Sequence, residues 1–240
     1  MLVLAIDAAT RYSGVAVVND ISLLGEYLAA SKLTHSQRLL PGIDALLKDL
    51  QLSIGDLDGI AVTRGPGSFT GLRIAISLAK GLSQALDVPI IGISSLEHWA
   101  HSLPSVPGQL VLPLLDAQRG EYYSALYLKE EQGMVQLLQE EARSQAKLLN
   151  DLVPYLEQEL KITGDIIPEK NDEIKNVLAK HNTSLQTDQA IPRPAVLGRL
   201  GHYYLSQGLS SDLFSLKPEY LRLSEAERQR LAREKAGGEQ

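Results

Sequence analysis

The chain of 240 residues contains no cysteine. That absence excludes a disulfide scaffold, a thiolate zinc site, an iron–sulfur cluster and a cysteine nucleophile. Long apolar runs are also missing, and none approaches the roughly 18–20 residues that a membrane-spanning helix needs. There is no excess of basic charge either, with 23 Lys+Arg against 29 Asp+Glu and a net charge of −6. The balance is −3 over residues 1–128, −5 over 129–190 and +2 over 191–240. No broad basic surface is therefore expected that would hold nucleic acid through phosphate contacts alone. Met1–Ile6 is apolar, but no basic segment precedes it and Asp7 ends it early. A secretory signal is not expected, and a soluble cytoplasmic protein is. What is present is an ordinary globular composition, 44% hydrophobic and 22% charged, enough to build a core in one large domain or two small ones.

The pattern along the chain predicts an α/β protein of two similar halves. Leu2–Asp7, Gly14–Val18 and Ile21–Leu28 read as strands, the last two joined at Asn19-Asp20 as a hairpin. A helix opens near Thr34, with an apolar stripe at Leu39, Leu40, Ile43, Leu46, Leu47 and Leu50. Asp58–Thr63 reads as a strand, Leu72–Leu86 as a helix, Ile90–Ile93 as a strand and Ser94–Leu103 as a short helix. Pro104–Gly108 is the expected boundary between halves, which divides the chain into 1–103, 104–222 and a charged tail, 223–240. Leu110–Leu115 and Glu121–Leu128 predict a second hairpin. Residues 129–190 are polar and read as short helices and loops, and 192–206 as a helix that packs back on the first half. No repeat is visible at the residue level.

Five constellations are candidates for chemistry. Asp7, followed by Ala8-Ala9-Thr10, stands at a strand end. A carboxylate and hydroxyl there suit Mg²⁺ or a phosphate, or else a turn capped by its own side chain. Gly65-Pro66-Gly67-Ser68-Phe69-Thr70-Gly71 precedes a helix. Such a loop suits an anion, or a tight turn with Ser68 or Thr70 as helix cap. It is neither a Walker A loop nor Gly-x-Gly-x-x-Gly. The Leu72–Leu86 helix carries only Arg73 and Lys80 as charges, and Ala75, Ala79 and Ser83 recur every four positions. It is either fully internal or a subunit contact shared with the Leu39–Leu50 helix. His98 and His101, at i and i+3, either share a helix face and a metal, for which no third ligand is evident nearby, or are surface histidines near a helix end, the commoner case. Asp116, Arg119 and Glu121 surround a turn as an ion-pair cluster, or face a ligand between the halves. A catalytic serine at Ser68 lacks the Gly-x-Ser-x-Gly setting, and His35 with Asp116 has no support as its triad.

These motifs together resemble the TsaB (YeaZ) family. The likeness rests on Leu4-Ala5-Ile6-Asp7-Ala8-Ala9-Thr10, His35-Ser36-Gln37-Arg38-Leu39-Leu40-Pro41, Gly65-Pro66-Gly67-Ser68-Phe69-Thr70-Gly71-Leu72-Arg73, Leu115-Asp116-Ala117-Gln118-Arg119-Gly120-Glu121 and Pro218-Glu219-Tyr220-Leu221-Arg222. The resemblance implies an actin-like ATPase (ASKHA) fold of two related subdomains, with mixed sheets flanked by helices. It implies a role in tRNA threonylcarbamoyladenosine synthesis on tRNAs reading ANN codons. The chain would pair with the related transferase TsaD, with the ATPase TsaE as third component. A homodimer is implied when TsaD is absent.

The resemblance also assigns residues. In the catalytic paralogue a His-x-x-x-His metal motif follows the strand matching Ile90–Ile93, where this chain has Ser95 and Trp99. No metal centre and no catalytic residue are therefore expected, and no cofactor is required by this chain, with ATP or ADP and Mg placed at the complex. Asp7, Thr10, Gly65, Gly67, Ser68 and Gly71 are the vestigial nucleotide-site positions. His35, Leu39, Ile43, Leu46, Arg73, Ala75, Ala79 and Leu82 are the interface candidates. The charge balance, not the resemblance, points to the net-positive stretch 191–240 for any direct tRNA contact, at Arg228, Arg230 and Arg233. The rivals are an autonomous ATP-dependent phosphotransferase, motivated by Asp7, Thr10 and the glycine loop, and a peptidase, for which no nucleophile or metal site is evident.

Overall fold

The computed structural model describes residues 1–20, 22–30, 37–155, 157–165, 183–185 and 191–222. Two five-stranded sheets carry the fold. The first comprises β1 (Leu2–Asp7), β2 (Tyr12–Asn19), β3 (Ser22–Ala30), β4 (Gly59–Gly65) and β5 (Ile90–Ser94), in the order β3-β2-β1-β4-β5. The second comprises β6 (Leu110–Asp116), β7 (Glu121–Glu130), β8 (Gly133–Ser144), β9 (Leu160–Gly164) and β10 (Thr183–Leu185), in the order β10-β9-β6-β7-β8. In each sheet the first three strands form an antiparallel meander, and the next two add in parallel on its other side. The two halves are thus one topology used twice, which is the actin-like arrangement. The duplication puts two carboxylates in equivalent places: Asp7 ends β1 and Asp116 ends β6.

Alternation along the central strand sorts the first lobe into two layers, because successive side chains leave a strand on opposite faces. Leu4 and Ile6 point with Val15, Val17, Ile60 and Val62 toward α1 (Leu39–Asp49) and α2 (Phe69–Leu86). Val3 and Ala5 point with Ala16, Val18 and Ala61 toward the helix Pro194–Ser206. The remaining helices are α3 (Ser95–Ser102) and α4 (Gln145–Leu152), so Pro194–Ser206 is α5. Its sequence follows the second sheet, yet it covers the first. Small side chains permit the close approach: a Cβ on Gly201 would lie 2.3 Å from the Ala61 Cβ.

Several expectations change at the element level. Helix α2 starts at Phe69, three residues before Leu72, because the Ser68 hydroxyl accepts from the Gly71 N–H at 3.2 Å and caps the first turn. The polar stretch after Glu130 holds β8, a 12-residue strand, rather than helices and loops alone. Its pairing with β7 shifts register twice, between Ser124 and Tyr127. Such bulges break the period-2 pattern that would mark a strand. His35, the expected helix opening near Thr34 and the tail 223–240 with Arg228, Arg230 and Arg233 lie outside the described residues.

The interface candidates also need correction. Leu39, Ile43, Leu46, Ala75 and Ala79 are buried in the chain's own core against the first sheet. Leu82 is half-buried against the same core. Arg73 is exposed, but its guanidinium lies 3.8 Å from the Phe69 ring centroid and its Nε donates to the Tyr220 hydroxyl at 2.9 Å. Small residues at four-residue spacing here fit a helix against a sheet. Helix α2 is therefore not fully internal: its outer face presents Ser77, Gly81, Gln84 and Ala85, beside an α1 face with Leu40, Pro41 and Asp44.

Glycine-to-alanine exchange should distinguish the two helix environments. Gly81→Ala, with nothing within 4 Å of the new methyl, should stabilise by about 0.5–1 kcal/mol through backbone entropy. Gly201→Ala should instead destabilise by about 1–3 kcal/mol through overpacking against Ala61. Urea titration of the two variants measures both signs.

Candidate functional site

A cleft of about 520 Å³ opens between the lobes. The first lobe contributes Thr10, Arg11, Gly67, Ser68 and Phe69, and the second contributes Asp116, Gln118, Tyr123 and Asp165. The glycine loop is shaped by its contact with the turn after β1. The Ser68 N–H donates to the Ala9 carbonyl at 2.6 Å, and a Cβ on Gly67 would lie 2.1 Å from that oxygen. Only glycine allows this approach. Thr10 is buried and its Oγ1 accepts from the Tyr12 N–H at 3.2 Å. Three vestigial-site candidates, Thr10, Gly67 and Ser68, thus meet in the cleft. Gly65 does not: its missing side chain makes room for the Glu219 carbonyl, 2.6 Å from an ideal Cβ. Gly71 is buried in the first turn of α2.

Asp7 lies behind the cleft wall at 1% exposure. Its Oδ1 accepts from the Thr63 hydroxyl at 2.7 Å and from the Ala9 N–H at 3.0 Å, and its Oδ2 lies 3.8 Å from His98 Nδ1. The His98 Nε2 in turn lies 2.8 Å from the Arg193 carbonyl. His98 is therefore no surface histidine; it is 1% exposed and joins β1 to the start of α5. At His101, burial, with Lys129 and His98 nearby, pushes the imidazole down to about 4. The sequence missed the setting of His98 because its Arg193 partner is 95 residues away.

On the second lobe, the Asp116 carboxylate accepts from the Gln118 N–H at 2.7 Å and from Gln118 Nε2 at 3.1 Å. Its own N–H donates to Asp165 Oδ1 at 3.0 Å. Glu121 lies 3.3 Å from Arg222 Nε. Of the three residues expected to cluster, Asp116 faces the cleft, Arg119 stands in a left-handed turn at φ 59°, and Glu121 engages the C-terminal segment. Asp165 is not among the sequence candidates. Burial and the nearby Asp116 push its carboxyl up, while the Asp116 N–H and Arg11 oppose the shift. Asp165 directly follows β9, which pairs with β6, and no local sequence pattern marks it.

An actin-like fold implies Mg²⁺ and an adenine nucleotide, and the residues present do not fit that pair. The Asp7 Oδ1 is already hydrogen-bonded inside the fold, and Oδ2 faces His98 at 3.8 Å. The Ser68 N–H, which would face a phosphate, is bonded to Ala9. The far wall offers the carboxylates Asp116 and Asp165, with Arg11 as the nearby cation. Among the described residues no three His, Asp or Glu side chains converge to hold a metal ion.

The family model described as "TsaD: tRNA N6-adenosine threonylcarbamoyltransferase" matches residues 28–228. The chain is 35% identical to the "tRNA threonylcarbamoyladenosine biosynthesis protein TsaB" of Bacillus subtilis, over 95% of this chain and 96% of that protein. It is 34% identical to the Escherichia coli protein of the same name, over 68% of this chain and 71% of that one. The chain belongs to the TsaB (YeaZ) family. A solved structure, "YeaZ from Pseudomonas aeruginosa", superposes with a TM-score of 0.75 at 24% identity, covering 91% of this TsaB-family chain and 99% of that one. No helix among the described residues is long and apolar enough to cross a membrane.

A second polar cluster of this TsaB-family chain lies where the lobes meet. Glu97 of α3 accepts from the Tyr204 hydroxyl of α5, and Glu140 of β8 accepts from the Tyr127 hydroxyl at 3.1 Å. Burial is the first cause that pushes both carboxyls up; Ser94, the two tyrosines and Arg64 oppose it, and Glu219 adds to the rise at Glu140.

Two measurements test these networks. Asp7→Ala should cost about 3–5 kcal/mol in urea titration, because it strands the partners of a buried carboxylate; a ligand-only role would leave stability unchanged. Glu97 and Glu140 bind their protons more tightly in the folded chain than in the unfolded one. Their contribution to stability is therefore present below the unfolded carboxyl pKa and is lost as pH rises through the raised folded values. Glu97→Gln and Glu140→Gln should raise the melting temperature above that range and flatten its fall with pH.

Proposed function

We propose that this chain is the noncatalytic subunit of a tRNA N6-adenosine threonylcarbamoyltransferase complex in the cytoplasm, where it pairs with and activates TsaD, with TsaE as third component. The observation that carries the reading is near full-length similarity to a protein named for tRNA threonylcarbamoyladenosine biosynthesis. Two structural features support it. Ser95 and Trp99, at the positions where the paralogue's metal histidines are expected, are each 1% exposed, and Trp99 packs with Leu96, Ala100 and Leu115. The outer faces of α1 and α2 are uncovered in the described chain and together offer a surface for two partner helices. ATP or ADP and Mg then belong to the assembled complex, and tRNA is met mainly through it. The same helix faces would pair two copies when TsaD is absent.

Ser77→Arg and Gly81→Arg test the pairing on exposed positions, where Ala79→Arg would instead break the buried core. Each arginine should leave a folded chain and weaken binding to TsaD by on the order of 100-fold, as expected for about 3 kcal/mol of uncompensated charge at an interface. Modification of tRNA should fall with it when each component is omitted in turn. Normal modification without pairing would overturn the reading, and ATP turnover by the isolated chain would favour an autonomous phosphotransferase.

A further inference from the structure

The segment after α5 forms neither helix nor strand up to Arg222, yet it is bonded along its length. The Ser211 N–H donates to the Ile90 carbonyl at 2.7 Å, and its Oγ accepts from the Gly92 N–H at 3.0 Å. These bonds cover the outer edge of β5, an otherwise unpaired strand edge. Lys80 Nζ donates to the carbonyls of Phe214 and Leu216 at 3.3 and 3.2 Å. The Glu219 N–H donates to the Arg64 carbonyl at 2.7 Å. Tyr220 stacks on Phe69 with ring centroids 5.1 Å apart, and Arg73 Nε donates to its hydroxyl. All these partners belong to the first lobe.

Two residues later the segment has crossed to the second lobe. Leu221 packs against the cluster of Trp99, Ala125 and Tyr127. The Arg222 guanidinium donates to the Ala117 carbonyl and, at 3.1 Å, to the Gln118 carbonyl, while its Nε lies 3.3 Å from Glu121. The turn so gripped is left-handed at Gln118, Arg119 and Gly120, with φ of 65°, 59° and 77°. Non-glycine residues adopt it uncommonly, and here the tight hairpin turn between β6 and β7 calls for it. Phe69 lines one wall of the cleft, and Ala117 and Gln118 line the other.

We propose that residues 211–222 form a strap that latches the two lobes together and sets the aperture of the cleft, with Tyr220 as its first-lobe anchor and Arg222 as its latch. A charge-assisted grip on two backbone carbonyls is directional and short, so its loss frees the second wall to move relative to the first. The strap is independent of whether TsaD is the partner.

The cysteine-free chain permits a direct test. Arg199→Cys on α5 and Ala146→Cys on α4 are exposed positions, one on each lobe and away from the α1 and α2 outer faces, for a pair of spin labels. Electron–electron distance measurement should give one narrow distribution for the labelled parent. Arg222→Ala should add a longer, broader component, Tyr220→Ala should do the same, and Arg222→Lys should fall between. Amide exchange over Gln118–Glu121 should quicken by roughly tenfold in the alanine variants. Far-UV circular dichroism identifies which variants are folded. The parent's distribution in a folded Arg222→Ala or Tyr220→Ala protein would overturn the latch.

Discussion

A carboxylate removed from water must find partners inside the protein, and the first lobe is arranged around one such group. Asp7 draws its partners from the neighbouring strand through Thr63, from the following turn through Ala9 and from α3 through His98. The network continues outward. The His98 ring reaches the Arg193 carbonyl, the Arg193 guanidinium pairs with Glu26 of β3 at 2.6 Å, and the same carboxylate accepts from the Ala195 N–H at 2.8 Å. One buried charge at the end of β1 thereby fixes the entry of α5 and the position of an edge strand. It also fixes the Ala9 carbonyl, and that carbonyl dictates the glycine loop. Gly67 is glycine because of Ala9, and the Ser68 N–H is consumed by it. A loop that reads in sequence as an anion cradle is, in the fold, one side of a backbone contact.

The sequence made local features legible. The strand at Leu2–Asp7, the Asn19-Asp20 turn and the Ser68 cap all survive, because each depends on residues within a few positions of one another. Asp20 indeed takes the left-handed conformation that such a turn requires, with φ of 51°. What failed depended on distant partners. Ala75 and Ala79 carry the same spacing whether a helix approaches another helix or a sheet, so only the fold shows that they face inward. His98 looks like a solitary imidazole until α5 comes beside it. β8 hides because register shifts scramble its alternation and a sheet edge tolerates polar side chains on the open face.

The duplication was the least legible feature. The lobes repeat strand order and direction, and Asp7 and Asp116 end equivalent strands, but their surroundings diverge. Asp7 is sealed by α3, whereas Asp116 stays exposed and engages its own turn. A repeated backbone constrains hydrogen-bond direction and hydrophobic period, not residue identity, so two halves with different burial share little that sequence comparison would register. The difference between the two carboxylates is therefore positional: one faces the helix that joins the lobes, and the other faces the gap.

That joining helix gives the molecule its division of labour. Leu96, Trp99, Ala100 and Leu103 of α3 and its end pack with Val111, Leu115, Ala125 and Tyr127 of the second lobe, forming an apolar seam across the junction. Glu97 projects from the same helix into the polar cluster with Tyr204, and His98 turns back to Asp7. Nearly every side of α3 is thus committed to holding the lobes, and a seam centred on a buried indole resists separation there. On the proposed reading, Trp99 stands where the paralogue needs a metal-binding imidazole. Such a ligand needs an open, polar approach, which a close-packed seam excludes. On that same reading, the apolar packing around Trp99 and a metal-binding imidazole at this position exclude one another.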